Sequence, residues 1–178
     1  MEDVRSKRVA FLAYCLLDQN ARAEGLAKYS GPVSEIVKIL ATNGVGMVQM
    51  PCPKLLCSGL DRTPHPRNWY DNKQFRDVCR ECVEQIVELV DRYVKNDYQI
   101  VAIIGIEHSP SCAIKASQAI ENGGTTRGIF IQELLEELRI RRLNNIPMIG
   151  IYVDKETMAS ACKRLENAIL YVKAEDLS

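Results

Sequence analysis

The sequence predicts an α/β fold: a doubly wound parallel sheet of about four strands with helices on both faces, in one domain over residues 1–178. Three observations carry this. Short apolar runs rich in β-branched residues alternate with longer stretches whose apolar residues recur at helical spacing. The strand–helix order repeats along the chain, as a parallel sheet with right-handed crossovers requires. A chain of 178 residues is long enough for one proper core and short for two. Such an order is of the Rossmann or flavodoxin-like type.

Residues 9–14 form the first apolar run and read as a buried strand. A polar loop follows over 18–30. Pro32 suits the first turn of a helix that runs to about residue 43, where Gly44 ends it. Residues 45–50 are the second strand. Pro51, Pro53, Pro64 and Pro66 then mark a long irregular segment to about residue 70, and a loop of that length in a compact domain is usually functional. From residue 71 to about 95, Val78, Cys79, Cys82, Val83, Ile86 and Val90 recur with helical period. Residues 99–106 make the third strand. A second long loop over 107–127 includes a possible short helix after Cys112. A helix over 129–143, a strand over 148–153 and a helix over 155–170 complete the order.

Composition is that of an ordinary globular protein, 47% hydrophobic and 26% charged. The formal net charge is zero, which leaves no global electrostatic footprint for nucleic acid. The local cluster of Arg139, Arg141 and Arg142 reads as favourable charge at a helix C-terminus. No apolar run is long enough to cross a membrane. The first residues lead into a strand without the apolar region of a signal peptide, so a cytoplasmic location is expected. In a reducing compartment the seven cysteines are ligands, reactive thiols or core filler rather than disulfides.

Three of them carry the functional signal. Cys15, Cys52 and Cys112 each follow one of the first three strands. In an open α/β sheet, ligands bind at the edge where strands end. Each cysteine alone is most simply small apolar filler. Three at one sheet edge, two of them among prolines, point to a shared soft-metal site. Their sulfurs are expected close together at the C-terminal edge. Three thiolates leave one position of a cubane cluster without a protein ligand, by the logic of the open position in catalytic zinc sites. Zinc is the rival on ligand chemistry alone.

The other candidates carry less. Cys79 and Cys82 form a CxxC whose spacing puts both on the apolar face of the long helix, so core packing is expected, as for Cys162. Cys57 reads as a solvated loop cysteine. Cys15 and Arg22 stand one residue too far apart for a cysteine-phosphatase loop and lack its glycines. Of the two histidines, His108 is near enough to Cys112 to shuttle protons, although a solvent-facing loop histidine is as good a reading. Gly123-Gly124 reads as a turn.

At its three cysteine segments the chain resembles the thiouracil desulfurase (desulfidase) family. The first segment is Cys15-Leu16-Leu17-Asp18-Gln19-Asn20-Ala21-Arg22-Ala23-Glu24-Gly25. The second is Cys52-Pro53-Lys54, followed by Gly59-Leu60, Pro64 and Pro66. The third is Ser109-Pro110-Ser111-Cys112-Ala113. The resemblance implies a 4Fe-4S cluster held by Cys15, Cys52 and Cys112. Its open iron would take the sulfur of a small thiolated substrate, such as a thiopyrimidine base or nucleotide, and water would replace that sulfur at carbon. It also implies a serine, here Ser109 or Ser111, and a nearby carboxylate for water and protons. Asn20 and Arg22 are the substrate-binding candidates of the first loop.

The sequence departs from the family pattern where a carboxylate should follow Cys52-Pro53: Lys54 stands there, and a cation cannot simply replace a carboxylate base. Glu107 or Asp18 is expected to supply the carboxylate, or Lys54 to bind an anionic group such as a phosphate. The remaining alternative is a non-catalytic iron–sulfur or zinc protein for sulfur sensing or carriage. Asp18 and Ala113 also replace family glycines.

Overall fold

The computed structural model describes residues 3–115 and 127–175. In chain order its elements are β1 (Arg8–Ala13), α1 (Tyr14–Leu17), α2 (Ser34–Thr42), β2 (Gly46–Met50), α3 (Pro53–Ser58) and α4 (Arg67–Tyr70). There follow α5 (Lys73–Lys95), β3 (Gln99–Ile106), α6 (Ile129–Ile140), β4 (Met148–Ile151) and α7 (Lys155–Glu175).

The strands form one parallel sheet in the order β2-β1-β3-β4. β1 and β3 are central and buried almost throughout, because helices cover both faces. Edge strand β2 leaves Gly46 and Gln49 exposed. Phe11 pairs with Val48 on one side and Ile103 on the other. Phe11, Ile103 and Ile104 are completely buried, each worth about 1.5–3 kcal/mol of transfer free energy.

From β1 the chain steps out to β2, then crosses back over β1 to reach β3 and β4. Right-handed crossovers turning opposite ways place α2 on one face and α5 and α6 on the other. α7 joins α2, and α5 packs along α6. The direction of winding reverses between β1 and β3, so the strand ends there flank the fold's natural crevice.

Helix α5 buries Phe75, Cys79, Cys82, Val83, Ile86, Val87 and Val90 along one stripe. The CxxC is therefore core, as its spacing predicts. Asn72 caps the helix, its Oδ1 accepting from the Phe75 N–H at 3.0 Å. Replacing Asn72 by Ala should lower stability by about 1 kcal/mol, read as a lower urea midpoint with unchanged slope.

Burial pushes the Cys82 thiol up to about 12 and raises Cys79 as well. Unfolding returns both to the ordinary value near 9. The folded chain thus keeps protons that the unfolded chain releases. Stability should hold below about pH 9 and fall as pH rises toward 12. Urea midpoints across that range should show the fall, and Cys82→Ala should flatten part of it.

The irregular segment expected over 51–70 contains two short helices. Pro53 sits in the first turn of α3, where a missing N–H costs nothing. Pro66 precedes α4 in extended backbone. Arg76 ties this segment to α6, bridging Asp71 at 2.7 Å and Glu133 at 2.6 Å. Element ends also shift: β1 stops at Ala13 and α5 starts at Lys73, behind its cap. The possible helix after Cys112 and the Gly123-Gly124 turn fall on 116–126, outside the described residues.

Candidate metal centre

Each of the three cysteines is held by a different strand end. Cys15 lies in the single turn α1, directly after β1. Buried Gln19 steadies that turn: its Nε2 donates to the Cys15 carbonyl, and its Oε1 accepts from the Lys28 N–H at 3.1 Å. Cys52 occupies the N-cap position of α3, in extended backbone and buried.

Cys112 is buried in the loop after β3. Ser109 Oγ accepts from the amides of Ser111 at 3.4 Å and Cys112 at 3.1 Å. The first amides of α6 satisfy the loop's carbonyls: Ile129 N–H donates to Pro110 at 3.0 Å and Ile131 N–H to Ser111 at 3.2 Å. Two glycines let the loop lie flat. A Cβ on Gly105 would strike the Cys112 carbonyl, and one on Gly128 would strike the Ser111 carbonyl.

All three thiols are free and line one cavity of about 50 Å³ at the C-terminal ends of the strands. Among the described residues, no three His, Cys, Asp or Glu side chains are grouped as ligands of a metal ion. Three thiolates are a donor set that either a cubane or a zinc ion uses.

Burial, then the neighbouring Cys112 and Cys52, pushes the Cys15 thiol up to about 12, while Arg22 and Lys54 oppose the rise. Cys112 is raised by burial and by Cys52, against Lys54 and the hydroxyls of Ser111 and Ser109. Metal binding here would have to displace protons from crowded thiols.

Of the other candidates, Arg22, Lys54, His108 and Ser109 line the cavity. His108 is exposed at its rim, with φ +60° and its ring 5.0 Å from that of Tyr152. Ser111 stands behind Cys112, its Oγ 3.1 Å from the sulfur.

Three expected groups are not brought to the cavity. Glu107 is buried and accepts from the Lys115 N–H at 3.1 and 3.3 Å, its carboxylate lying against Gly150 of β4. Alternation along the end of β3 turns it away, and its carboxylate does not line the cavity. Asp18 is taken up in its own turn, accepting from the Asn20 amide at 3.0 Å and from its side chain at 2.8 Å. That holds Asn20 at the surface too. Arg139 and Arg141 are paired with Glu136 and Glu137, as a helix end predicts.

The chain is 34% identical to the uncharacterized protein MJ0003 of Methanocaldococcus jannaschii over 143 residues, 80% of this chain and 84% of that protein. The chain belongs to the MJ0003 family. No family model matches it, and no solved structure does.

In this member of the MJ0003 family, sequence reasoning missed Arg62. It is 6% exposed and lines the same cavity. Its Nη1 donates to the Gly59 carbonyl at 2.6 Å and its Nη2 to the Ala21 carbonyl, which joins the loops after β2 and β1. Nothing in a proline-rich loop distinguishes such an arginine from a solvated one.

Proposed function

We propose that the cavity holds a 4Fe-4S cluster on Cys15, Cys52 and Cys112, and that the protein is a cytoplasmic desulfidase of thiouracil desulfurase type. It would remove sulfur as sulfide from a small thiolated compound, a thiopyrimidine base or nucleotide. The observation that carries this reading is that cysteines from three separate strand ends line one cavity. When bound, the cluster supplies a sulfur-seeking Lewis acid with one position open to substrate.

The chain's own residues set the conditions around it. Ser109 fixes the Cys112 loop through two amides and faces the cavity, where its hydroxyl can hold a water. Ser111 orients the Cys112 sulfur from behind. His108 at the rim is placed to pass protons between cavity and solvent. The net change is a hydrolysis. Water gives its oxygen to the thiocarbonyl carbon and its two protons leave with the sulfur as hydrogen sulfide, with no change of oxidation state.

Protein purified and reconstituted without oxygen should contain iron and sulfide and release sulfide from thiouracils or their nucleotides. Lys54 favours a second reading, a non-catalytic iron–sulfur or zinc-binding protein for sulfur sensing or carriage. An intact cluster that releases no sulfide from any thio compound would select it. Zinc without iron in the anaerobic protein would reject the desulfidase and leave a zinc-binding protein.

A further inference from the structure

The cavity lined by the three cysteines measures about 50 Å³. Pockets that take a small organic molecule run from about 300 to 1,000 Å³. A ring-sized ligand therefore enters only if a wall moves. Most of the lining is fixed to the sheet. Cys15 follows central strand β1 directly, Ile106 belongs to β3, and Cys52 begins α3. The Cys112 segment rests on Gly105 and on the start of α6.

The remaining wall is the stretch 22–28, which has no helix or strand. Arg22, Ala23 and Leu26 line the cavity, while residues 24–28 are exposed, so the wall there is one residue thick. Its tip is a tight turn in which the Leu26 N–H donates to the Ala23 carbonyl at 3.1 Å. Gly25 supplies the φ of +73° at the turn's third position. Between Ala23 and Lys28, among the described residues, two hydrogen bonds tie the stretch to the rest of the chain. The Glu24 N–H donates to the Arg62 carbonyl at 3.0 Å, and the Lys28 N–H to Gln19 Oε1 at 3.1 Å. So few bonds and so little buried surface mark a segment that opens more readily than the domain.

Arg62 holds this wall shut. Its carbonyl takes the Glu24 bond, and its Nη2 donates to the Ala21 carbonyl at the foot of the stretch. Its Nη1 is anchored on the Gly59 carbonyl at 2.6 Å. The guanidinium is buried and its Nε has no hydrogen-bond partner, which works against the shut state. Lifting the stretch returns that group to water and so offsets part of the bonding that is lost. We propose that residues 22–28 are a strap that lifts off Arg62 to admit ligand to the cavity. The strap pivots between buried Ala21 and Tyr29, which packs against the core. The proposal stands on the size and walls of the cavity, whether or not the ligand is thiolated.

Hydrogen exchange on the full metal-free chain reads the lifting directly. The Glu24 and Lys28 amides should exchange at least roughly a hundredfold faster than those of Ile103 and Ile104 in β3, at rates that low urea leaves unchanged. Labelling with a maleimide, a planar ring that the shut cavity excludes, connects the strap to the cavity. Arg62→Met should raise strap exchange and Cys52 labelling together, roughly tenfold or more. Both rises are read against β3 exchange and Cys82 labelling, which report global unfolding. Leu26→Ser changes an exposed side chain and no charge. It should raise both rates in the same direction, and it keeps the test open if Arg62→Met fails to fold.

Strap amides that exchange in step with β3 would overturn the proposal, because the stretch would then open only when the sheet does. Cys52 labelling that stays fixed while strap exchange rises would overturn it too, by routing ligands through another wall. A lifting strap in a protein that releases no sulfide from any thio compound would instead sink the desulfidase reading and leave the strap standing.

Discussion

Cys112→Ser protein, reconstituted without oxygen, should hold less than roughly a tenth of the wild-type iron and release no sulfide. Cys112 is enclosed, hydrogen-bonded by Ser111, and fixed by backbone bonds to α6. A serine there brings a hard oxygen that stays protonated, which soft iron binds poorly. Its circular dichroism should remain that of the wild type, because the loop's own hydrogen bonds are backbone and Ser109 bonds. Cys79→Ser is the internal control. That residue is fully buried on α5, so its hydroxyl should cost about 1–3 kcal/mol of stability and leave iron content unchanged. Full iron in Cys112→Ser would remove the cluster from this cavity.

Gly105→Ala should be among the most damaging single changes. The new Cβ would meet the Cys112 carbonyl and lie 2.8 and 2.9 Å from carbons of Ile114. The obstacle is backbone at the centre of the sheet, so either β3 or the loop must move. Overpacking of this kind costs about 1–3 kcal/mol and sometimes more. Gly150→Ala is the useful comparison, because its Cβ meets the end of the flexible Glu107 side chain. Glu107 can swing away at the expense of its bonds to the Lys115 amide. Urea unfolding of the metal-free proteins should rank Gly105→Ala below Gly150→Ala, and Gly105→Ala should also lose iron on reconstitution. Wild-type iron content in a folded Gly105→Ala protein would show that the loop tolerates displacement.

The sheet was legible because its strands are buried on both faces and appear as apolar, β-branched runs. The shared cavity was legible too, since a parallel sheet sends Cys15, Cys52 and Cys112 to the same edge whatever their separation in sequence. What failed was local. α3 and α4 hide among prolines, which punctuate a helix start as readily as they forbid a helix interior. Glu107 sits one residue past β3, where a single alternation decides between cavity and sheet face. Arg62 announces itself only through burial and missing partners, and neither is encoded by spacing.

The Cys112 loop has a thermodynamic consequence. It lies directly on Gly105 in a central strand and supplies the carbonyls that cap the start of α6. Its described part is tied to a central strand and to the start of α6, so Cys112 moves with the sheet. Releasing the ligand-bearing cysteine and opening the domain then become one equilibrium. A ligand held by Cys112 would raise the population of closed molecules by mass action, and a weakened sheet would loosen that ligand however intact the three thiols remain.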